Sequence, residues 1–300
     1  MNKSHNSRIF IVWLYAIMYL IKERCIEAIV NSNLYDWHTA LIIASLVNMP
    51  STGICAATIS KYRPRAHKPC FNIILLYAGV TYISTILFLL MAIKLPYYYC
   101  IISKTLYPVA RKLYSYDILL YPSTSRIMLC VGIFCIAYSH WYGMGVFFLA
   151  SMFEACSRYI EEQHISIRIH NVCYTAFYIN SSRLVMSLPV IVLLGKQTQD
   201  NMDRMYQSPL IIILGLLSIA EPVQMMLAFK IRQTFGMLRL MRFQYYQNIC
   251  SLIISVSPAM YLIGVAQYIG IVLIAGLSYA SLPPIFSINR QSSNKLMTIV

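Results

Sequence analysis

Ten apolar stretches, each near the length that crosses a bilayer, follow one another through this chain with little between them. They run Ile9–Val30, Trp37–Ile59, Phe71–Ile93, Tyr97–Leu119, Arg126–Ser139, Tyr142–Ile160, Val172–Leu194, Pro209–Phe229, Phe235–Ser255 and Met260–Pro283. A hydrocarbon core about 30 Å thick needs about 20 residues per helix. Lipid offers no partner for open backbone, so each stretch must close its own hydrogen bonds. The pattern predicts an all-α polytopic membrane protein of about ten transmembrane helices. Short links leave no room for a soluble domain. The fifth stretch is the shortest and can begin earlier, near Ser123. Only 11% of the residues are charged, against roughly 25% in soluble domains. Ile9–Ile21 imitates a signal-peptide core, but Lys22-Glu23-Arg24 follows directly without a small-residue cleavage site, so it reads as the first span.

The net charge of +14 has a membrane explanation rather than a nucleic-acid one. With a cytosolic N-terminus, the cytosolic segments hold Lys3, Arg8, Lys61, Arg63, Arg65, Lys68, Arg126, Arg158, Arg168, Arg232, Arg290 and Lys295. The opposite side shows little beyond Lys94, Lys196 and Arg204. That asymmetry follows the positive-inside rule and puts both termini in the cytosol. It excludes nucleic acid as a partner and makes the bilayer the expected one.

Ten spans divide into two sets of five, 1–140 and 141–300. An odd number per half forces the halves to be inverted, which is the architecture of many secondary transporters, with the site where the halves meet. No internal sequence repeat is evident, so the inversion rests on the count.

Cations inside the spans carry the functional signal. Lys104 lies in Tyr97–Ala110, and Arg239 and Arg242 lie in Phe235–Ser255. A cation at mid-helix costs about 2.5–3.5 kcal/mol on insertion scales and marks a substrate or ion path. Lys104, Tyr107, Pro108 and Arg111 recur at helical spacing, as do Phe235, Arg239, Arg242 and Tyr246. Each stripe mixes cations with aromatics. That suits a ligand with phosphates and a flat base, because guanidinium forks phosphate oxygens and rings stack on the base. The competing reading is snorkelling to headgroups, and it weighs most on Arg111 and Arg239 near span ends.

The first span adds Lys22, Glu23, Arg24 and Glu27, with Arg24 and Glu27 spaced for an i,i+3 pair. The seventh carries Asn180-Ser181-Ser182-Arg183 mid-helix, where interhelix glue and ligand contact weigh about equally. Lys22, Arg24, Lys104, Arg183, Arg239 and Arg242 outnumber the embedded acids Glu23, Glu27 and Glu221. That surplus predicts a polyanionic substrate. It also predicts exchange, since an empty positive cavity should resist reorientation. No His-Glu-x-x-His, paired-carboxylate or Cys-x-x-Cys motif is present, and the six histidines are scattered. The cysteines read as small buried residues. No enzyme activity, metal or cofactor is expected, with a membrane-embedded transferase as a minor alternative.

Several short patterns converge on one family. Lys22-Glu23-Arg24 closes the first span, and Ser103-Lys104-Thr105-Leu106-Tyr107-Pro108 occupies the fourth. Glu154 and Glu161-Glu162 fall at the sixth, Asn180 in the seventh and Ser208-Pro209 before the eighth. Phe235-Gly236-Met237-Leu238 opens the ninth, and Gly270 and Gly276 sit in the tenth. In these the chain resembles the UAA-type nucleotide-sugar transporters of the drug/metabolite transporter superfamily, above all the endoplasmic-reticulum UDP-galactose transporter homologues. It also departs from them. Tyr107 stands where the family has a second fourth-span lysine, and Tyr246-Gln247-Asn248 where it has a phosphate-binding Thr-Thr-Arg-Lys. Val223-Gln224 only approximates the eighth-span Gly-Gln.

The resemblance implies a carrier of the endoplasmic reticulum or Golgi that exchanges a cytosolic nucleotide-sugar, UDP-galactose first, for a lumenal nucleoside monophosphate. Relatives that carry adenine nucleotides or the sulfate donor PAPS are the alternative, as is a non-transporting protein that kept the fold and lost the site. A homodimer is compatible with this reading. The candidate substrate-binding set is Lys104, Tyr107, Arg239, Arg242, Tyr246, Glu23, Asn180 and Arg183.

Overall fold

The structure is a computed structural model of the chain, describing residues 2–32, 37–62, 71–109, 123–137, 140, 143–165, 171–194, 210–257 and 263–282. Apart from short connecting turns these residues are helical, and no strand occurs among them. The helices are α1 (Asn2–Val30), α2 (Trp37–Leu46), α3 (Asn48–Tyr62), α4 (Phe71–Lys94), α5 (Tyr97–Thr105), α6 (Ser123–Ala137), α7 (Met144–Ile160), α8 (Val172–Leu193), α9 (Leu210–Phe235), α10 (Met237–Val256) and α11 (Val265–Ala280). The protein is an all-α polytopic membrane protein. Four helical segments are long and apolar enough to cross a membrane: Trp37–Lys61, Phe71–Lys94, Val172–Leu193 and Leu210–Phe235. Their outward faces carry apolar side chains such as Leu76, Val192, Leu193 and Ile212, as contact with lipid requires. The basic loop around Arg63–Lys68, the segment Gly195–Ser208, and Arg111 and Lys112 lie outside the described residues.

Prolines shape the spans. Pro50 has no N–H for the Leu46 carbonyl, and there the second span divides into α2 and α3 at Val47. Pro108 likewise leaves the Lys104 carbonyl without its helical donor, and α5 stops at Thr105 with a turn at Leu106. The fourth span is therefore shorter than Tyr97–Leu119 as a continuous helix, and residues 110–122 lie outside the described ones. Pro222 sits inside α9 and frees the Ser218 carbonyl, which accepts a hydrogen bond from Ser51 Oγ on α3 at 3.3 Å. The same hydroxyl also donates to the Val47 carbonyl at 2.7 Å, so the neighbouring serine satisfies the freed group only in part.

Packing follows a regular scheme. α1 lies along α9, α4 along α7, α6 against α11, α8 against α2 and α3, and α10 against α5. Exchanging every helix for the one five spans away maps these pairings onto themselves. The α6–α11 contact is close: a Cβ at Gly270 would come 2.7 Å from the Gly132 carbonyl oxygen. Only a residue without a side chain fits there. Tyrosines fill much of the core and spend their hydroxyls inside it. Tyr82 pairs with Ser45 at 2.8 Å, Tyr99 donates to the Ile136 carbonyl at 2.9 Å, and Tyr245 donates to the Ala275 carbonyl at 2.8 Å.

Candidate functional site

A cavity of about 200 Å³ opens between the helices, with side chains from α1, α4, α5, α7, α8, α9 and α10 in its wall. Two charged clusters face it. The first joins five helices. Lys104 Nζ on α5 donates to Glu23 Oε1 on α1 at 2.7 Å, and Tyr97 donates to the other oxygen of Glu23 at 2.7 Å. Glu221 on α9 pairs with Lys22 of α1 and with Arg183 of α8, the latter at 3.2 Å. Arg183 Nε also donates to Thr81 on α4 at 3.0 Å. Glu23 is only 1% exposed, so its carboxylate depends on these partners for its charge. Lys104 lies 5.3 Å from the centre of the Phe88 ring. Three cations face two carboxylates here, which leaves one positive charge for an anionic group.

The second cluster lies eleven residues along α9 from Glu221 to Arg232, about 16 Å at helical rise. Arg158 Nε donates to Glu154 at 3.0 Å and its Nη1 to Glu161 at 3.2 Å. Arg232 also donates to Glu161, and Ser84 donates to Glu154 at 3.2 Å. Glu161 opens a π-helical turn, Glu161–Ile165, at the end of α7. Between the clusters the wall is largely tyrosine, with Tyr15, Tyr19, Tyr77 and Tyr107 among the lining residues.

Lys104, Tyr107, Glu23 and Arg183 all line the cavity. The other four candidates do not. Arg239 is exposed, Arg242 is half-buried outside the lining, and Tyr246 is 50% exposed. The reason is rotational. α10 turns Met241, Gln244, Tyr245 and Asn248 to the cavity, and the stripe through Arg242 and Tyr246 lies one residue away, about 100° around the helix. Asn180 is fully buried but packed between helices, donating to the Ala176 carbonyl at 3.0 Å and reaching Cys55 Sγ at 3.5 Å. Of its two readings, glue is the one this placement fits.

The expected charge surplus is corrected as well. Four cations and four carboxylates line the cavity, Lys22, Lys104, Arg158 and Arg183 against Glu23, Glu154, Glu161 and Glu221. Arg24 pairs with Glu27, as its spacing predicts. Over the whole lining the charges balance, with a positive excess only locally in the Lys104 cluster, and a neutral wall removes the electrostatic argument for obligatory exchange. Arg158 and Arg232, assigned from sequence to cytosolic segments, are helix residues paired with Glu161. The spacing Glu154-Arg158-Glu161, which places all three on one helix face, was the available signal for that cluster. The described cysteines are free, but Cys130 and Cys250 are exposed rather than buried. Among the described residues, no group of three His, Cys, Asp or Glu side chains is placed to hold a metal ion. No known family model and no curated protein matches the chain.

Proposed function

We propose that this protein is a secondary carrier for a phosphate-bearing organic anion. The leading substrate class is a nucleotide-sugar, UDP-galactose or another UDP-sugar, taken up in exchange for a nucleoside monophosphate. The observation that carries the proposal is the Lys104 cluster. Three cations drawn from three helices (α1, α5 and α8) face one cavity, with one charge more than their two carboxylate partners. Intramembrane charge of this kind is costly and belongs to a substrate path. An entering phosphate competes with Glu23 for Lys104 and with Glu221 for Lys22 and Arg183, while tyrosines offer rings and hydroxyls to the base and sugar.

The self-mapping packing of the helices supports two five-helix halves, residues 1–140 and 141–300, rocking about this cavity. The basic-residue asymmetry supports cytosolic termini. The endoplasmic reticulum or Golgi as the home membrane, adenine nucleotides or PAPS as other cargo, and a homodimer rest on the family resemblance alone. One observation favours a second reading, a membrane protein that kept the fold and lost transport. Arg239, Arg242 and Tyr246, the nearest substitutes for the family's phosphate-binding pair, stand outside the cavity. Counterflow uptake by purified protein in liposomes, against a panel of nucleotides and nucleotide-sugars, separates the two. Uptake of at least one phosphate-bearing solute supports the carrier, and uptake of none supports the second reading.

A further inference from the structure

Arg232 lies one turn beyond Phe229, the last cavity-lining residue of α9, with its side chain 4% exposed. Of its three guanidinium nitrogens, Nη2 donates to Glu161. Nε and Nη1, on either side of it, are sealed from solvent and have no hydrogen-bond partner among the described residues. Buried donors are nearly always matched by protein, water or ligand, so two open ones on a single buried cation call for an acceptor. Phe229, one turn earlier on the helix, lies with its ring centre 5.5 Å from the guanidinium carbon and helps fix the group in place. Arg158 reaches the same Glu161 from α7, so two guanidinium groups converge on one carboxylate. Phe229, Arg158 and Glu161 line the cavity, which puts the open donors behind its wall.

The geometry points to a second oxyanion-binding site, built from Arg232 and Arg158, for the phosphate of a dissolved solute or of a lipid headgroup. A phosphate that takes the place of Glu161 at Arg232 Nη2 gains Nε or Nη1 as a second donor, completing the fork that the single Glu161 contact leaves open. Glu154 and Glu161 neutralise the two arginines while the site is empty, and Glu162 lies beside them on the π turn. Glu161 is therefore the internal competitor that a phosphate must displace. Arg232 lies about 16 Å from Glu221 by helical rise, and the site does not depend on the carrier reading, because a lipid phosphate would use the same donors.

Thermal unfolding of the full chain in nanodiscs tests this. One arm uses neutral phosphatidylcholine with rising inorganic phosphate against chloride at equal ionic strength, and the other uses phosphatidic acid without added phosphate. A midpoint that rises in the first arm identifies a dissolved oxyanion, and one that rises only in the second identifies a headgroup. Glu161→Gln removes the competitor and should tighten the response by about tenfold. Arg232→Lys should keep only part of it, and Arg232→Gln with Glu161→Gln should abolish it. All of these responses are read in a Lys104→Met with Glu23→Gln background, which removes any phosphate response of the Lys104 cluster itself. No response of either this background protein or its Glu161→Gln variant in both arms would overturn the site. So would an unchanged response in Arg232→Gln with Glu161→Gln.

Discussion

Lys104 and Glu23 hold each other's charge inside the protein, so removing one should injure the fold more than removing both. In Lys104→Met the Glu23 carboxylate, 1% exposed, keeps only the Tyr97 hydroxyl. Removing one partner of a buried ion pair costs about 3–5 kcal/mol. The Lys104 side chain is 18% exposed and borders the cavity, so water reaches part of the vacated space and the lower figure, about 3 kcal/mol, applies. Glu23→Gln alone strands the lysine beside the cavity and should cost less, about 1–2 kcal/mol. The double variant buries neither charge, and its amide oxygen can still accept from Tyr97, so it should fall within about 1 kcal/mol of the natural protein. The cycle therefore predicts a coupling of about 3–5 kcal/mol. Denaturant unfolding of the four purified proteins in one detergent measures it. A Lys104→Met protein as stable as the natural one, or a double variant as weak as the sum of the singles, would refute the reasoning.

Other positions separate cavity from surface. Arg239→Ala and Tyr246→Ala should leave solute uptake within about twofold of the natural protein, since both side chains point away from the cavity; a loss comparable to that of Lys104→Met would return α10's outer stripe to the site. Gly270→Ala should destabilise the α6–α11 contact by about 1–3 kcal/mol, because its methyl would meet backbone at 2.7 Å, whereas Gly215→Ala, with open space at its Cβ, should not lower the melting temperature. Single-cysteine accessibility should place Lys61–Lys68 on the cytosolic side and Gly195–Ser208 on the other; the reverse would overturn the orientation drawn from the basic residues.

Apolar length made the helices legible, because bilayer thickness and backbone satisfaction leave few other choices. Each of the ten stretches falls on a helix or helix pair, though four segments meet the length and hydropathy of a span outright. The helix breaks near Pro50 and Pro108 follow from the missing N–H groups, yet both prolines lie inside apolar stretches long enough to read as single spans. The site was half legible. Lys104, Tyr107 and Glu23 face the cavity because α5 and α1 present those stripes inward. On α10, Arg239 and Arg242 share a stripe with aromatics that lies outside the cavity lining, while the less conspicuous Gln244 and Asn248 face in. Periodicity fixes which residues share a face and says nothing of which way the face turns. Arg158 and Arg232 were lost for the opposite reason. Near span ends they looked like topology signals, and only their shared partner Glu161 shows them as buried pairs.

The most direct test of the central claim is uptake of labelled UDP-galactose into UMP-loaded liposomes by the natural protein and by Lys104→Met with Glu23→Gln. The double variant is expected to fold, so uptake reports the site. The account predicts saturable uptake by the natural protein and a reduction of about tenfold or more in the variant, the equivalent of one lost charge-assisted phosphate contact. Equal uptake by the two proteins would contradict it.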